Sequence, residues 1–296
     1  MKKNLIPFAL AALTLGFTGC SDDSNDSNGT SKYITVSTQI KTRMGTNASG
    51  TQIFTNGDQI SVYAWTGDAS SVPAADGRVV DNSINTLSGD KWTAAPQMLW
   101  KNTTDKHYFI GVYPKNDASV ADLTAGDYTL DVTNQEKSDL LVACRLNGIT
   151  SENNPVLLTF DHVMAKLIVN LQYRNQWGGT PTVESVTVNN AATTAKVNYL
   201  TRSVTASDTR SSIALPVTTA NEKYTSIFIP QTDVKSIAIR INGKDYTYTN
   251  NAGINLESGK ITTVNLIVGR DEITLGEVSI NDWAQGTEIS GGEAQE

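Results

Sequence analysis

The stretch Ile239–Tyr248, IRINGKDYTY, decides the fold class. Ile239 and Ile241 alternate with Arg240 before it turns, and Tyr246 and Tyr248 alternate with Thr247 after it. A period of two puts successive side chains on opposite faces of a strand. Asn242-Gly243 between the two runs accepts the positive φ of a tight type I′ turn, so the stretch predicts a two-residue β-hairpin. The same period recurs outward in both directions. KYITVSTQI (32–40), QISVYAW (59–65), HYFIGVYP (107–114), DYTLDV (127–132) and AKLIVNLQY (165–173) carry it. So do VESVTVNN (183–190), KVNYL (196–200), YTSIFIP (224–230), SIAIRI (236–241), ITTVNLIVG (261–269) and EITLGEVSI (272–280). Turn signals separate them at Asn56-Gly57-Asp58, Ser88-Gly89-Asp90, Ala125-Gly126-Asp127 and Ser258-Gly259-Lys260. No stretch holds a 3.6-residue period over three turns. Many short strands with frequent turns predict an all-β sandwich class.

The chain reads as bipartite. SENNPV (151–156) is a polar break with a proline, and LLTFDHVMAKLIVNL opens a fresh run after it. The expected division is an N-terminal β-sandwich over 32–158 and a C-terminal one over 159–296, each of the size a seven-stranded sandwich needs.

The N-terminus is of another kind. Lys2 and Lys3 precede a short apolar run, Leu5 to Phe17, that is too short to span a bilayer, which takes about 20 residues. A basic start, an apolar core and small residues before a cut describe a secretory signal peptide over 1–19. Phe17-Thr18-Gly19-Cys20 resembles a bacterial lipobox, with Phe17 where Leu is usual, and the resemblance implies lipidation of Cys20 and anchoring to the outer membrane. The plain alternative is an ordinary signal peptide with an incidental cysteine. Residues 20–31, rich in Ser, Asp and Asn, have too little apolar area to offset their ordering entropy and are expected to form a disordered tether. Their acidic start also resembles an export signal for the outer face of that membrane. Removing 1–19 takes away two lysines and no acid, so the charge moves from −7 to −9. An acidic surface argues against nucleic acid, whose binding rests on Lys and Arg.

Chemistry is sparse. There are two histidines, His107 and His162, and two cysteines, Cys20 and Cys144. Cys144 lies in an apolar run without an activating base and reads as a small buried hydrophobe. Neither histidine sits in a metal or triad spacing, and His162 reads as a packed, hydrogen-bonded residue. Asp22-Asp23-Ser24-Asn25-Asp26 lacks the Gly and terminal Glu of a calcium loop. Asp58, Asp68, Asp161 and Asp282 are the carboxylates to weigh as a glycosidase pair. Trp65, Trp92, Trp100, Trp177 and Trp283 are the rings available for a sugar platform, against their ordinary use as core residues. No catalytic, metal or cofactor site is expected, and no enzyme.

Several segments resemble one family, the fimbrillins. These are Thr42-Arg43 with Phe54, Gly57-Asp58, Ile60, Val62 and Tyr63; then Trp92, Trp100, Tyr108, Phe109, Tyr113 and Pro114. Ser138-Asp139-Leu140-Leu141, Phe160-Asp161-His162 with Lys166, and a C-terminal block ending in Asp282-Trp283 and Gly286 complete the order. The resemblance implies two tandem transthyretin-like (Greek-key) β-sandwich domains and a structural or adhesive subunit of a cell-surface fimbria, a type V pilus. It implies export as a lipoprotein, proteolytic cutting after Arg43, loss of the N-terminal strand, and head-to-tail strand exchange with other fimbrial subunits. The strand KYITVSTQI is then the mask, and ITLGEVSINDW the better donor. Arg43 has a bland alternative as a solvated loop cation. The alternative function is a surface lipoprotein that does not polymerise and binds glycans or host or bacterial surface ligands.

Overall fold

The computed structural model describes residues 31–40 and 54–283. Cys20 and Arg43, the two residues expected to be modified, lie outside them, as do the signal peptide, residues 20–30 of the expected tether and the tail beyond Trp283.

The described residues are all-β. The strands of the first half are β1 (Val36–Ile40), β2 (Gln59–Thr66), β3 (Val80–Ser88), β4 (Lys91–Ala95), β5 (His107–Tyr113), β6 (Gly126–Thr129), β7 (Leu141–Ile149) and β8 (Val156–His162). Those that follow are β9 (Ala165–Tyr173), β10 (Val183–Ala192), β11 (Thr194–Asn198), β12 (Ser203–Ala206), β13 (Arg210–Ala214) and β14 (Val217–Thr219). The last five are β15 (Lys223–Phe228), β16 (Gln231–Ile241), β17 (Lys244–Leu256), β18 (Lys260–Val268) and β19 (Ile273–Asp282). The opening hairpin forms as read: Ile241 faces Lys244 across the β16–β17 ladder, and Asn242 and Gly243 take φ of 47° and 76°. Both positive values match the right-handed twist of the flanking strands.

Four sheets result. A seven-stranded sheet runs β1-β8-β7-β5-β2-β3-β4, a five-stranded one β14-β15-β9-β18-β19, a four-stranded one β13-β10-β16-β17 and a three-stranded one β12-β11-β6. The pairs are antiparallel except β1 with β8 and β9 with β18. The seven-stranded sheet curls until its two ends meet. Tyr33 bridges Leu99, the Ile34 amide donates to the Met98 carbonyl at 3.0 Å, and the Trp92 indole donates to Thr38 Oγ1 at 3.0 Å. Its concave side encloses one core, which includes Ile60, Val62, Trp92, Met98, Phe109 and Phe160.

The other face of this sheet belongs to a second core. Tyr63, Trp65, Ile110 and Val142 pack there with residues of the four- and five-stranded sheets such as Val188, Phe228 and Val264. The three-stranded sheet joins β6 of the first half to β11 and β12 of the second. Sheet membership divides the chain between His162 and Ala165, so residue 158 falls inside β8. The polar break at 151–156 is the connection between β7 and β8 within one sheet. Ala125-Gly126-Asp127, expected as a turn, begins β6 instead, one residue after the turn in which the Ala125 amide meets the Asp122 carbonyl. Gly126 is needed for close approach, since a Cβ there would lie 2.7 Å from Tyr199 Cε2.

Candidate functional site

The site is the slot that β1 fills. On one side β1 pairs in parallel with β8, from Val36 opposite Val156 to Ile40 opposite Phe160. On the other, residues 32–34 bond to the 98–100 segment. Ile34 and Val36 point inward and are 2% and 6% exposed, and Ile40 packs half-buried against the same core. The sequence alternation of Ile34, Val36 and Ile40 is thus the buried face of the strand, as its period implies.

Side chains clip the strand in place. Asn154 does so twice: its Oδ1 accepts from the Thr35 amide at 2.9 Å and its Nδ2 donates to the Tyr33 carbonyl at 3.1 Å. Gln39 Nε2 donates to Thr159 Oγ1 at 3.2 Å. Without β1, the polar backbone edge of β8 and the apolar cleft beneath Ile34 and Val36 would both be open. That combination is a template for another strand.

Ile40 and Phe54, the described residues on either side of Arg43, meet at one place. Ile40 is the partner of Phe160, and Phe54 stands edge-on to Phe160 with centroids 5.3 Å apart. Phe54 also meets Trp92 and Tyr113 edge-on at 5.3 Å, closing that rim of the barrel with aromatic rings.

The strand β19 lies at the free edge of the five-stranded sheet and is poorly covered. Ile280, Val278 and Leu275 are 38–43% exposed, although they stand opposite Thr262, Val264 and Leu266, which are fully buried. Sequence reading singled out this strand as apolar but not its exposure, which depends on where the facing sheet ends.

The remaining candidates all have partners within the fold. Trp65, Trp92 and Trp100 are buried, and Trp177 and Trp283 are half-covered, so no described tryptophan lies open as a platform. Asp58 accepts from the Thr55 amide, Asp68 from Ser70, Asp161 pairs with Arg202 and Asp282 with Lys260. The Cys144 thiol donates to the Tyr199 carbonyl at 2.9 Å, and burial pushes its pKa up to about 12. His107 Nδ1 faces the Asp105 carbonyl at 2.9 Å while its Nε2 accepts from the Lys101 amide at 3.1 Å, so the ring is held neutral; burial lowers its pKa. His162 is packed and bonded to Asp139, as the sequence reading holds. No three metal-ligating residues cluster among the described residues.

Solved structures share the fold. A proposed cell adhesion protein from Bacteroides ovatus superposes with a TM-score of 0.69 at 20% identity, covering 86% of this chain and 99% of that one. A proposed cell adhesion protein from Bacteroides uniformis gives 0.67 at 17% identity, covering 85% and 98%. A fimbrial protein from Bacteroides vulgatus gives 0.56 at 13% identity, covering 84% and 99%. No curated protein matches in sequence. The family model described as fimbrillin-like matches residues 42–283, from just beyond β1 to Trp283. The chain belongs to the fimbrillin-like family.

Proposed function

We propose that this protein is a structural subunit of a cell-surface fimbria, assembled by removing β1 and accepting a neighbour's strand in its place. The observation that carries the reading is the way β1 closes the barrel. It supplies buried apolar side chains and a paired edge, yet its covalent link to the body runs through the segment bearing Arg43. Strand addition draws affinity from main-chain hydrogen bonds and specificity from side-chain pockets. Donation from one subunit to the next does not close on itself and so grows a filament.

In this reading the precursor is exported as a lipoprotein held at the outer membrane by Cys20. One cut after Arg43 severs both the lipid and β1 from the body. β19 is the donor, being an edge strand with three half-exposed aliphatic side chains. The body has no catalytic role. The division near 158 is kept as a proposal in a modified form: two sandwich units that share a core and meet at Val163–Met164.

The test uses the purified full chain. Cutting with an Arg-specific protease should give a new N-terminus at Met44 and, with time, filaments resistant to heated detergent. Arg43→Ala should block both. Filaments forming equally from uncut Arg43→Ala protein would refute strand release. A clean cut that leaves stable monomers would instead favour the ligand-binding alternative.

A further inference from the structure

Five residues far apart in sequence meet at the end of β19. The His162 ring, at the end of β8, places Nδ1 2.8 Å from Asp139 Oδ1, and both residues are buried. Trp283 lies flat on the imidazole, with centroids 4.3 Å apart and planes 12° from parallel. Lys166 Nζ stands 5.9 Å from the centre of the indole. The Trp283 amide donates to the Gly259 carbonyl at 3.0 Å. Gly259 in turn donates to the Met164 carbonyl at 2.8 Å, and Ser258 Oγ to the Val163 carbonyl at 2.9 Å. Only glycine suits position 259: its φ is +66° and a Cβ would lie 2.9 Å from the His162 carbonyl oxygen.

This grip contrasts with the middle of the strand. Leu275, Val278 and Ile280 there are 38–43% exposed, while side-chain contact gathers at its two ends: Ile273 on the core and Thr274 on Arg174 at one, Asp282 on Lys260 and Trp283 on His162 at the other. The other end of β19 cannot lift first. It is tied to β18 by the short 269–272 turn, where the Gly269 amide donates to the Glu272 carbonyl at 2.8 Å, and Arg174 pairs with Glu272. Lifting would have to start at the C-terminal end of β19, and that end is where the cluster sits.

We propose that Asp139, His162, Lys166, Gly259 and Trp283 form a latch that holds the C-terminal end of β19 down on its own subunit and sets how readily the strand lifts. Asp139 orients the imidazole, the imidazole offers its face to Trp283, and the Gly259 turn fixes the Trp283 backbone. Its role in assembly rests on reading β19 as the donor; the latch itself does not.

Hydrogen exchange on the uncut full chain tests it. Trp283→Ala should speed exchange of amides 275–282 about tenfold, as loss of a stacked ring pair implies. Exchange in β9, β10 and β16 should stay unchanged. Trp283→Phe, which keeps a ring to stack, should retain most of the protection. His162→Ala should loosen the same amides without touching β19, and the double variant should be no looser than either single one. Unchanged exchange in β19, or equal loss in every sheet, would overturn the latch. With Arg43-cut protein, Trp283→Ala should also hasten filament growth. Wild-type growth from a loosened β19 would overturn its control of donation. Absence of filaments from every variant would fault the fimbrial reading, while the exchange data would still decide the latch.

Discussion

Ile34→Ala, two residues ahead of β1, is the most informative change in the strand segment that fills the slot. Ile34 is 2% exposed and fills the cleft between β8 and the 98–100 segment. Full burial of a large aliphatic side chain is worth about 1.5–3 kcal/mol, so Ile34 and Val36 together hold the strand with about 3–6 kcal/mol. Whole-protein stability is about 5–15 kcal/mol, so this is a large share of it. Truncating a buried Ile to Ala costs about 2–5 kcal/mol; an edge strand can settle into the gap, which favours about 2–3. At a tenfold change per 1.4 kcal/mol, the cut peptide should leave the slot roughly 30- to 150-fold more readily. The assay is to cut at Arg43, dilute, and follow loss of the labelled 20–43 peptide from the body by size exclusion. Gln39→Ala is the control, because Gln39 is exposed and makes one side-chain bond, at 3.2 Å to Thr159. Its effect should stay within about 0.5 kcal/mol, or twofold. Equal release from Ile34→Ala, Gln39→Ala and wild type would refute the claim that the apolar face of β1 holds it in the slot.

Three further outcomes follow from single side chains. Cys144 should resist alkylation at pH 8 in the folded protein and react once unfolded, since its thiol is held near 12 by burial; mass spectrometry reads the difference. His107 should make the protein acid-sensitive. Its pKa is lowered in the fold from an ordinary value of about 6.5, so below that pH the unfolded chain takes up a proton that the native state refuses. Its stabilising contribution is therefore present above about pH 6.5 and is lost as pH falls toward the folded value. Denaturant titrations of wild type and His107→Gln between about pH 7.5 and about pH 5, roughly one unit above and one and a half below the ordinary value, should show the slope only in wild type. Arg78→Ala should cost about 3–5 kcal/mol in chemical denaturation. Its buried guanidinium holds Asp81 at 2.6 Å and the carbonyls of Pro73, Val120 and Ala121, all of which lose their partner.

Strands were legible where alternation and turn chemistry agreed. At β16–β17, Asn242-Gly243 fixes the register and the flanking alternation fixes the face. At β1, Ile34, Val36 and Ile40 name the buried side. β3 was missed because VDNSINTLS hides polar residues in the core: Ser83 and Asn85 are buried, Ser83 donating to the Pro96 carbonyl at 2.6 Å. The sheet to which β8 belongs was not legible either, because LLTFDHVMAKLIVNL passes through Val163 and Met164 without a glycine or proline, and Asp161-His162 before them fit the polar positions of an alternating strand. The change of sheet happens there between buried residues, so composition carries no mark of it. Cys20 and Arg43, singled out by resemblance to a lipobox and to the fimbrillins, lie outside the described residues. The cluster at Trp283 was not readable, since Asp139, His162, Gly259 and Trp283 are joined only by the fold.

The uneven burial of the two strands bears on the direction of the proposed exchange. β1 hides Ile34 and Val36 almost completely, whereas β19 leaves about two-fifths of Leu275, Val278 and Ile280 in water. Moving three such side chains into a slot that buries them as β1 is buried would gain about 0.5–1 kcal/mol each, before any backbone pairing. The gain does not require that β19 be a better strand than β1, only that its home be a poor one. Geometry adds a condition. On β18, Asn265 faces Glu277 and Leu266 faces Leu275, so Gly276 is an extra residue that bulges. The bulge brings Leu275 to the same face as Val278 and Ile280. A strictly alternating strand would turn Leu275 away. A slot that takes all three must therefore accept the bulge at Gly276; one that demands regular pairing would bury Val278 and Ile280 alone and forgo about a third of the gain. The site of that bulge, rather than the overall hydrophobicity of β19, then sets which slots the strand fits.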